Sequence, residues 1–289
     1  MARDAQLSRA IRRRRAVAVA AFLLALAVAA GVTVSALRRH PTPAPVVAPP
    51  PKPFRIVFPE GFTRAQMGVR VHDVALIADH ERHLSVRLNR PAYLAASQRA
   101  VVACFGKQQQ RNLEGFLFPA TYDFVRTTTS RQLVRDQLQT FCRTWRRVDL
   151  SYARSRHLTA YDVLTIASMV EREAEVPSER PLIAAVIYNR LRDHMQLGID
   201  ATLRYGLDIP PTQSITESEL QSDNPYNTRK LFGLPPTPIA NPGLASIRAA
   251  AHPADVDYLY FVRKPDHRHH FFTASVTAFD QYLATHGYG

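Results

Sequence analysis

Two cysteines, Cys104 and Cys142, are all that this 289-residue chain contains, and neither belongs to a C-x-x-C pair. That scarcity leaves no thioredoxin-type motif and no cysteine framework for structural zinc. The two are either separate buried thiols or a disulfide formed in an oxidising compartment, and the sequence leaves both open. Zinc-finger spacings and RNA-binding aromatic signatures are absent, so the formal net charge of +13 does not point to nucleic acid. No G-x-S-x-G elbow occurs, which argues against a serine hydrolase. No internal repeat is present. His267, His269 and His270 lack a carboxylate or cysteine at ligand spacing and read as a solvated turn, so no metal is expected.

The positive charge is unevenly placed. Residues 1–40 carry eight Arg and one Asp, a net +7, which leaves +6 for the remainder. Such an excess suits an anionic surface, cell wall or lipid headgroup. Residues 16–37 hold no charge at all. At about 1.5 Å rise per residue they would reach about 33 Å, enough to cross a bilayer. Arg3, Arg9 and the Arg12–Arg15 run precede this stretch, and only Arg38, Arg39 and His40 follow. The heavier basic flank predicts an N-terminus inside and a body outside. The alternative is a cleaved signal peptide, whose apolar core is normally shorter. Seven prolines between Pro41 and Pro53 then predict an extended, semi-rigid spacer.

In the body, Ile56-Val57-Phe58 reads as a strand, Pro59-Glu60-Gly61 as a turn, and Thr63 with Gln66 as a capping box that opens a helix. A helix is expected over about 131–146, and Thr159 with Asp162 caps another whose positions Val163, Ile166, Ala167 and Val170 fall at helical spacing. Ser178 is expected to cap the next helix, with Pro181 in its first turn. Tyr258–Val262 and His270–Thr273 read as strands. Helices and strands segregate, so the fold class is α+β.

The chemistry concentrates where an apolar helix turns acidic, at Glu171, Glu173 and Glu175. Burying such acids is costly unless the proton has a use. Positions two apart point about 200° away from each other, so Glu171 and Glu173 do not aim at one bond, whereas Glu171 and Glu175 share a face. The pattern suits a single buried acid. Met169, Val170 and the Phe116/Phe118 segment are expected to supply its apolar pocket.

Several motifs in one order carry a resemblance. They are E-G-x-L-x-P-x-T-Y from Glu114 to Tyr122, Glu171-Arg172-Glu173, Leu197 to Gly206 with Asp200 and Thr202, Tyr226-Asn227-Thr228, Gly233-Leu234-Pro235-Pro236, Ile239 to Gly243, and an A-A-x-H-P run ending on His252-Pro253. Together they resemble the catalytic region of the YceG-like endolytic murein transglycosylases, the MltG family. The chain departs from the pattern at Gly198, where the family has Gln and Gln196 is the nearest substitute, at Ala120 in place of Asp, and at Phe279 in place of a later His.

The resemblance implies cleavage of the MurNAc–GlcNAc β-1,4 bond without water, leaving a 1,6-anhydro-MurNAc end. Glu173 is the implied general acid and then base; Glu114, Glu171, Gln196, Asp200, Thr202, Tyr226, Asn227, Thr228 and His252 are implied to support it or bind substrate. It needs no cofactor. The implied organisation is a basic cytoplasmic tail at 1–15, a transmembrane helix at 16–37, a linker at 38–53, an abbreviated LysM-like region at 54–110 and a YceG-like catalytic domain at 111–289. The enzyme would sit in the cytoplasmic membrane with its catalytic domain extracytoplasmic, acting on glycan strands beside peptidoglycan synthases and division or elongation proteins. Two alternatives stand beside this reading. A hydrolytic muramidase would need a second carboxylate, for which Glu114 is the obvious candidate. A non-catalytic wall-binding scaffold would need no acid.

Overall fold

The computed structural model describes residues 15–30, 53–106 and 109–287. The chain divides into two compact units, 1–50 and 51–289. In the first, helix α1 (15–30) is solvent-exposed along its length, with Val17, Phe22, Leu23 and Leu24 each more than half exposed. Among the described residues no helix is long and apolar enough to cross a membrane. The expected span at 16–37 runs past Ala30 into residues outside the described ones. The tail up to residue 14 and the linker at 38–52 also lie outside them.

Among the described residues the second unit mixes many helices with three separate two-stranded antiparallel ladders. Strand β1 (Phe54–Val57) pairs with β4 (Thr121–Phe124), so the chain's start is stitched to a segment beyond residue 110. Ile56, Tyr122 and Phe124 turn inward while their neighbours face out, the period of two that a one-sided strand requires. Helix α2 (Arg64–Arg82) begins on the expected capping box, with Thr63 and Gln66 each bonding the other's backbone. Helix α3 (Arg90–Ala96) follows. Strand β2 (Arg99–Val101) then pairs with β3 (Gln109–Arg111). Helix α4 (Ser130–Trp145) occupies the expected position. Phe105, Phe116, Phe141 and Trp145 pack in one cluster of edge-on, tilted and stacked rings with centroids 5.0–5.8 Å apart. Beside this cluster Cys104 and Cys142 form a disulfide with their Cα atoms 5.4 Å apart, which resolves the choice the sequence left open.

Beyond the short α5 (Ser151–Ser155), helix α6 (Ala160–Glu173) is the centre of the body. Every residue from Val163 to Val170 is buried, not one stripe alone. Helices α7 (Arg180–Arg192) and α10 (Leu244–Ala251) pack against it. Each of its buried Leu and Ile side chains stabilises the fold by about 1.5–3 kcal/mol relative to exposure. Buried Ser168 is satisfied by donating to the Thr165 carbonyl and accepting from the Ile239 N–H. The expected cap at Ser178 does not form. Residues Pro177–Glu179 make a 3-10 turn, and α7 starts at Arg180 without a side-chain cap. The Glu179 carboxylate instead turns inward to His270, accepting from its backbone N–H at 3.0 Å and meeting its Nδ1 at 2.7 Å.

Helices α8 (Asp200–Leu207) and α9 (Glu217–Leu220) lie between α7 and α10 in sequence. Strands β5 (Tyr260–Arg263) and β6 (His270–Thr273) form the last ladder, and helix α11 (Val276–His286) packs on it.

One turn depends on glycine. Gly115 has φ +87°, and a Cβ there would come within 2.7 Å of Pro238. Gly115→Ala is expected to cost about 2–4 kcal/mol through backbone strain and overpacking. A melt followed by circular dichroism should show the midpoint fall by roughly 5–15 °C. An unchanged midpoint would mean that the turn has room to relax.

Candidate active site

Helix α6 ends at Glu173, where Ala174 turns to an extended conformation (φ −83°, ψ 116°). Its acidic terminus projects into a cleft of about 950 Å³. Because the helix enters end-on, residues from different sides of α6 reach the same cavity: Glu171 and Glu173 both line it, with Glu175 just beyond the helix end. The two helical acids still face different walls. Glu171 accepts from the Gly243 N–H at 3.0 Å, the amide that opens α10. Glu173 accepts from the backbone N–H of Ala201, in the first turn of α8.

Glu173 is half-buried: protein surrounds it closely, yet its side chain stays open to the cleft. Burial is the main cause that pushes its carboxyl up to about 7, and the negative charge of Asp200 adds to the effect. The Arg263 and Arg172 charges and the Ala201 N–H work in the opposite direction. Two helix ends meet at this group. The C-terminal, partly negative end of α6 favours the neutral acid, and the N-terminal amides of α8 favour the anion. The group is thus near balance at neutral pH, as acid–base work demands. The other cleft acids are more tightly engaged. Glu175 pairs with Arg263 at 3.1 Å and Asp200 with Arg229 at 2.5 Å. Glu173 has no salt bridge among the described residues.

Glu60, read from sequence only as part of a turn, is a further cleft carboxyl. Burial, then the charge of Glu171, raises its pKa. Its carboxylate occupies the space a Cβ on Gly243 would need, which explains a glycine at that loop position. The basic wall was also missed. Arg190 lines the cleft and is locked by the carbonyls of Leu259 at 2.6 Å, Leu197 at 2.7 Å and Gln196 at 3.1 Å. No local spacing in the sequence assigned it a role.

Of the residues nominated from sequence, Glu173, Glu171 and Asp200 share the cleft. The others fall outside its lining. Thr202 and Thr228 are buried and joined at 2.9 Å; Thr228 also accepts from the Ile199 N–H, tying the start of α8 to the 226–231 loop. Asn227 is buried and donates to the Leu220 and Ser222 carbonyls. Tyr226 bonds Thr237 at 2.8 Å and packs on Tyr205. Gln196 is exposed and donates to the Lys230 carbonyl. His252 is exposed at the end of α10, 3.6 Å from Asp149. Glu114, only 2% exposed, accepts from the Arg64 N–H, Asn241 Nδ2 and Tyr205 OH in the interior.

The pocket expected from Met169, Val170, Phe116 and Phe118 is a correction. None of the four lines the cleft; Phe116 belongs to the aromatic cluster under α4, because its large ring is better buried there than beside charged groups. The apolar surface of the cleft comes instead from Leu197, Ile199, Phe261, Val262, Phe279 and Leu283.

A sequence model described as the YceG-like family matches residues 9–285. The endolytic murein transglycosylase of Bacillus subtilis (strain 168) is 38% identical over 164 residues, covering 55% of this chain and 44% of that protein. That of Streptococcus pneumoniae (strain ATCC BAA-255 / R6) is 36% identical over 157 residues, covering 52% of this chain and 28% of that protein. The matches therefore span less than half the length of either curated relative. The crystal structure of a YceG-like protein from Listeria monocytogenes aligns with a TM-score of 0.63 at 28% identity, over 79% of this chain and 75% of that one.

Proposed function

The chain belongs to the YceG-like family, and from that premise we propose that it is a membrane-anchored endolytic lytic transglycosylase of peptidoglycan. The observation that carries this reading is one half-buried carboxyl, Glu173, held near pKa 7 at an open cleft. Glu173 donates its proton to the glycosidic oxygen as the C1–O bond of MurNAc breaks. The Ala201 N–H and the α8 N-terminus stabilise the carboxylate that results. That carboxylate then takes the proton of the C6 hydroxyl as its oxygen bonds to C1, closing the 1,6-anhydro ring. Glu173 ends protonated and no water is consumed.

A muramidase would need a second carboxylate to activate water or to attack C1. Glu114 is poorly suited to that role, being interior and engaged by three donors. In this reading residues 16–37 cross the cytoplasmic membrane with the basic tail inside. The disulfide fits an oxidising, extracytoplasmic body. Region 54–110 is then the abbreviated LysM-like part, and the tethered enzyme works on nascent strands near peptidoglycan synthases and division or elongation proteins.

The test is mass spectrometry of peptidoglycan digested by the full chain. Anhydro-muropeptides are the expected products. Reducing-end products would replace this reading with the muramidase, and no cleavage with wall binding retained would favour the scaffold.

A further inference from the structure

The cleft has two unlike walls. One carries the acids and arginines around Glu173. The other comes from the end of the chain, where β5 contributes Phe261 and Val262 and α11 contributes Phe279 and Leu283. Helix α11 has no fully buried residue, and Phe279 and Leu283 are half-buried. Phe279 and Leu283 are four apart and share a helix face, and that face borders the cleft. Tyr282 points elsewhere and stacks on Phe271 with centroids 4.2 Å apart and planes at 4°, which docks the helix on the ladder.

Phe279 is also held in place. Its ring stacks on Tyr260 at 5.2 Å and 29°. The Arg190 guanidinium lies 5.4 Å from the Tyr260 centroid and is itself fixed by three backbone carbonyls. Guanidinium, tyrosine and phenylalanine thus form one stack that runs from the polar wall to the apolar one. Holding the ring in advance lowers the ordering cost of using it in binding. Phe279 stands where the resembled family pattern has a His. A ring hydrogen-bonding edge is therefore lost and an apolar ring face is gained.

A pyranose in a β-1,4 glycan is amphipathic: axial C–H groups make a flat apolar face, and equatorial hydroxyls make a polar edge. A groove with an aromatic wall opposite a charged one matches that division, with apolar surface binding the ring and a few polar groups orienting it. We propose that Phe279, backed by Tyr260 and flanked by Leu283, is the platform on which one sugar ring of the glycan stacks, and that it sets affinity for the strand more than the rate of bond cleavage. This rests on the glycan-cleaving function proposed above.

The test uses the full chain and has two arms. In turnover of purified glycan strands, Phe279→Ala is expected to raise KM about tenfold with kcat within about twofold, and Phe279→Trp to restore KM. In calorimetric titration of uncleaved strands into Glu173→Gln, adding Phe279→Ala is expected to weaken binding by a similar factor. The second arm needs no cleavage, so it decides the platform even if the wild-type chain cuts nothing. Unchanged KM and unchanged binding in Phe279→Ala would overturn the proposal. So would an equal loss of kcat and melting temperature that Trp fails to rescue, since that marks Phe279 as a brace for α11.

Discussion

Glu173→Gln is expected to lower turnover of glycan strands by at least about 10³-fold, because general acid–base assistance of this kind is worth about 10²–10⁴ and the proposed mechanism uses Glu173 in both halves of the reaction. Strand binding should stay within a few-fold, since glutamine keeps the shape and still accepts from the Ala201 N–H. The wild-type pH profile carries the same information. Burial and the Asp200 charge hold the carboxyl protonated up to about 7, so kcat/KM is expected to be high below that pH and to fall above it. Asp200→Asn removes one of the causes of the raised value and should move this limb to lower pH. The sign for stability is opposite to that of an ordinary salt-bridged acid. Folding raises the affinity for the proton, so stability is greatest below the unfolded value, near 4.5, and is lost as pH rises through about 7. Glu173→Gln does not suffer that loss, and above pH 7 it should melt higher than wild type while cutting almost nothing. Kinetics across pH 5–9 and melts at pH 5 and pH 8 check both halves. Full turnover by Glu173→Gln would remove this residue from the chemistry.

How far the sequence carried this picture differs from residue to residue, and the differences have physical causes. Helices α2 and α6 announce themselves because a capping box is a local pattern, and their caps form as expected at Thr63 and Thr159. The acidic end of α6 was legible because acids in an apolar helix are costly without a purpose, and within it the family resemblance is what pointed to Glu173. Glu60 was not, because its role depends on packing against Gly243 from the far end of the chain. Arg190 and Phe279 join the cleft only once β5 lies across α7, a contact no local period records. Thr202, Asn227 and Thr228 were singled out as substrate-binding or supporting, and the structure shows them buried outside the cleft lining and bonded to neighbouring loops. A motif marks residues that a site needs and does not separate those that touch substrate from those that hold the loops. The Phe116 segment went astray for a related reason: it belongs to the same motif set as Glu173, and membership of one motif set does not place two segments side by side.

Glu114 sharpens that distinction, and its removal should bring the largest loss of stability in the body. Its two oxygens accept from the Arg64 N–H at 2.8 and 3.1 Å, Asn241 Nδ2 at 2.8 Å and Tyr205 OH at 3.2 Å. The Arg64 amide is the first of α2, so this carboxyl serves as a helix cap supplied from 50 residues away. Asn241 extends the knot, donating to the Phe62 carbonyl and accepting from the Leu117 N–H. Three segments, 61–64, 114–117 and 241–243, are thereby joined, and two of them border Glu60, Gly61 and the Gly243 amide at the cleft. Glu114→Ala strands three donors in the interior and leaves a void. At about 1–3 kcal/mol for each unsatisfied group, partly relieved by relaxation, the expected cost is about 3–6 kcal/mol. Glu114→Gln keeps one acceptor and the volume, and should cost about 1–2 kcal/mol. Burial pushes the Glu114 carboxyl up to about 7, so the glutamine penalty should shrink as pH rises and the wild-type carboxylate becomes the costlier form. Denaturant unfolding at pH 5 and pH 8 measures these differences. Turnover by Glu114→Gln at a temperature where it is folded separates the two roles the sequence allowed. Retained kcat with a lowered melting point fits the knot, whereas an unchanged melting point with kcat lost as in Glu173→Gln would place Glu114 in the chemistry and reopen the two-carboxylate muramidase.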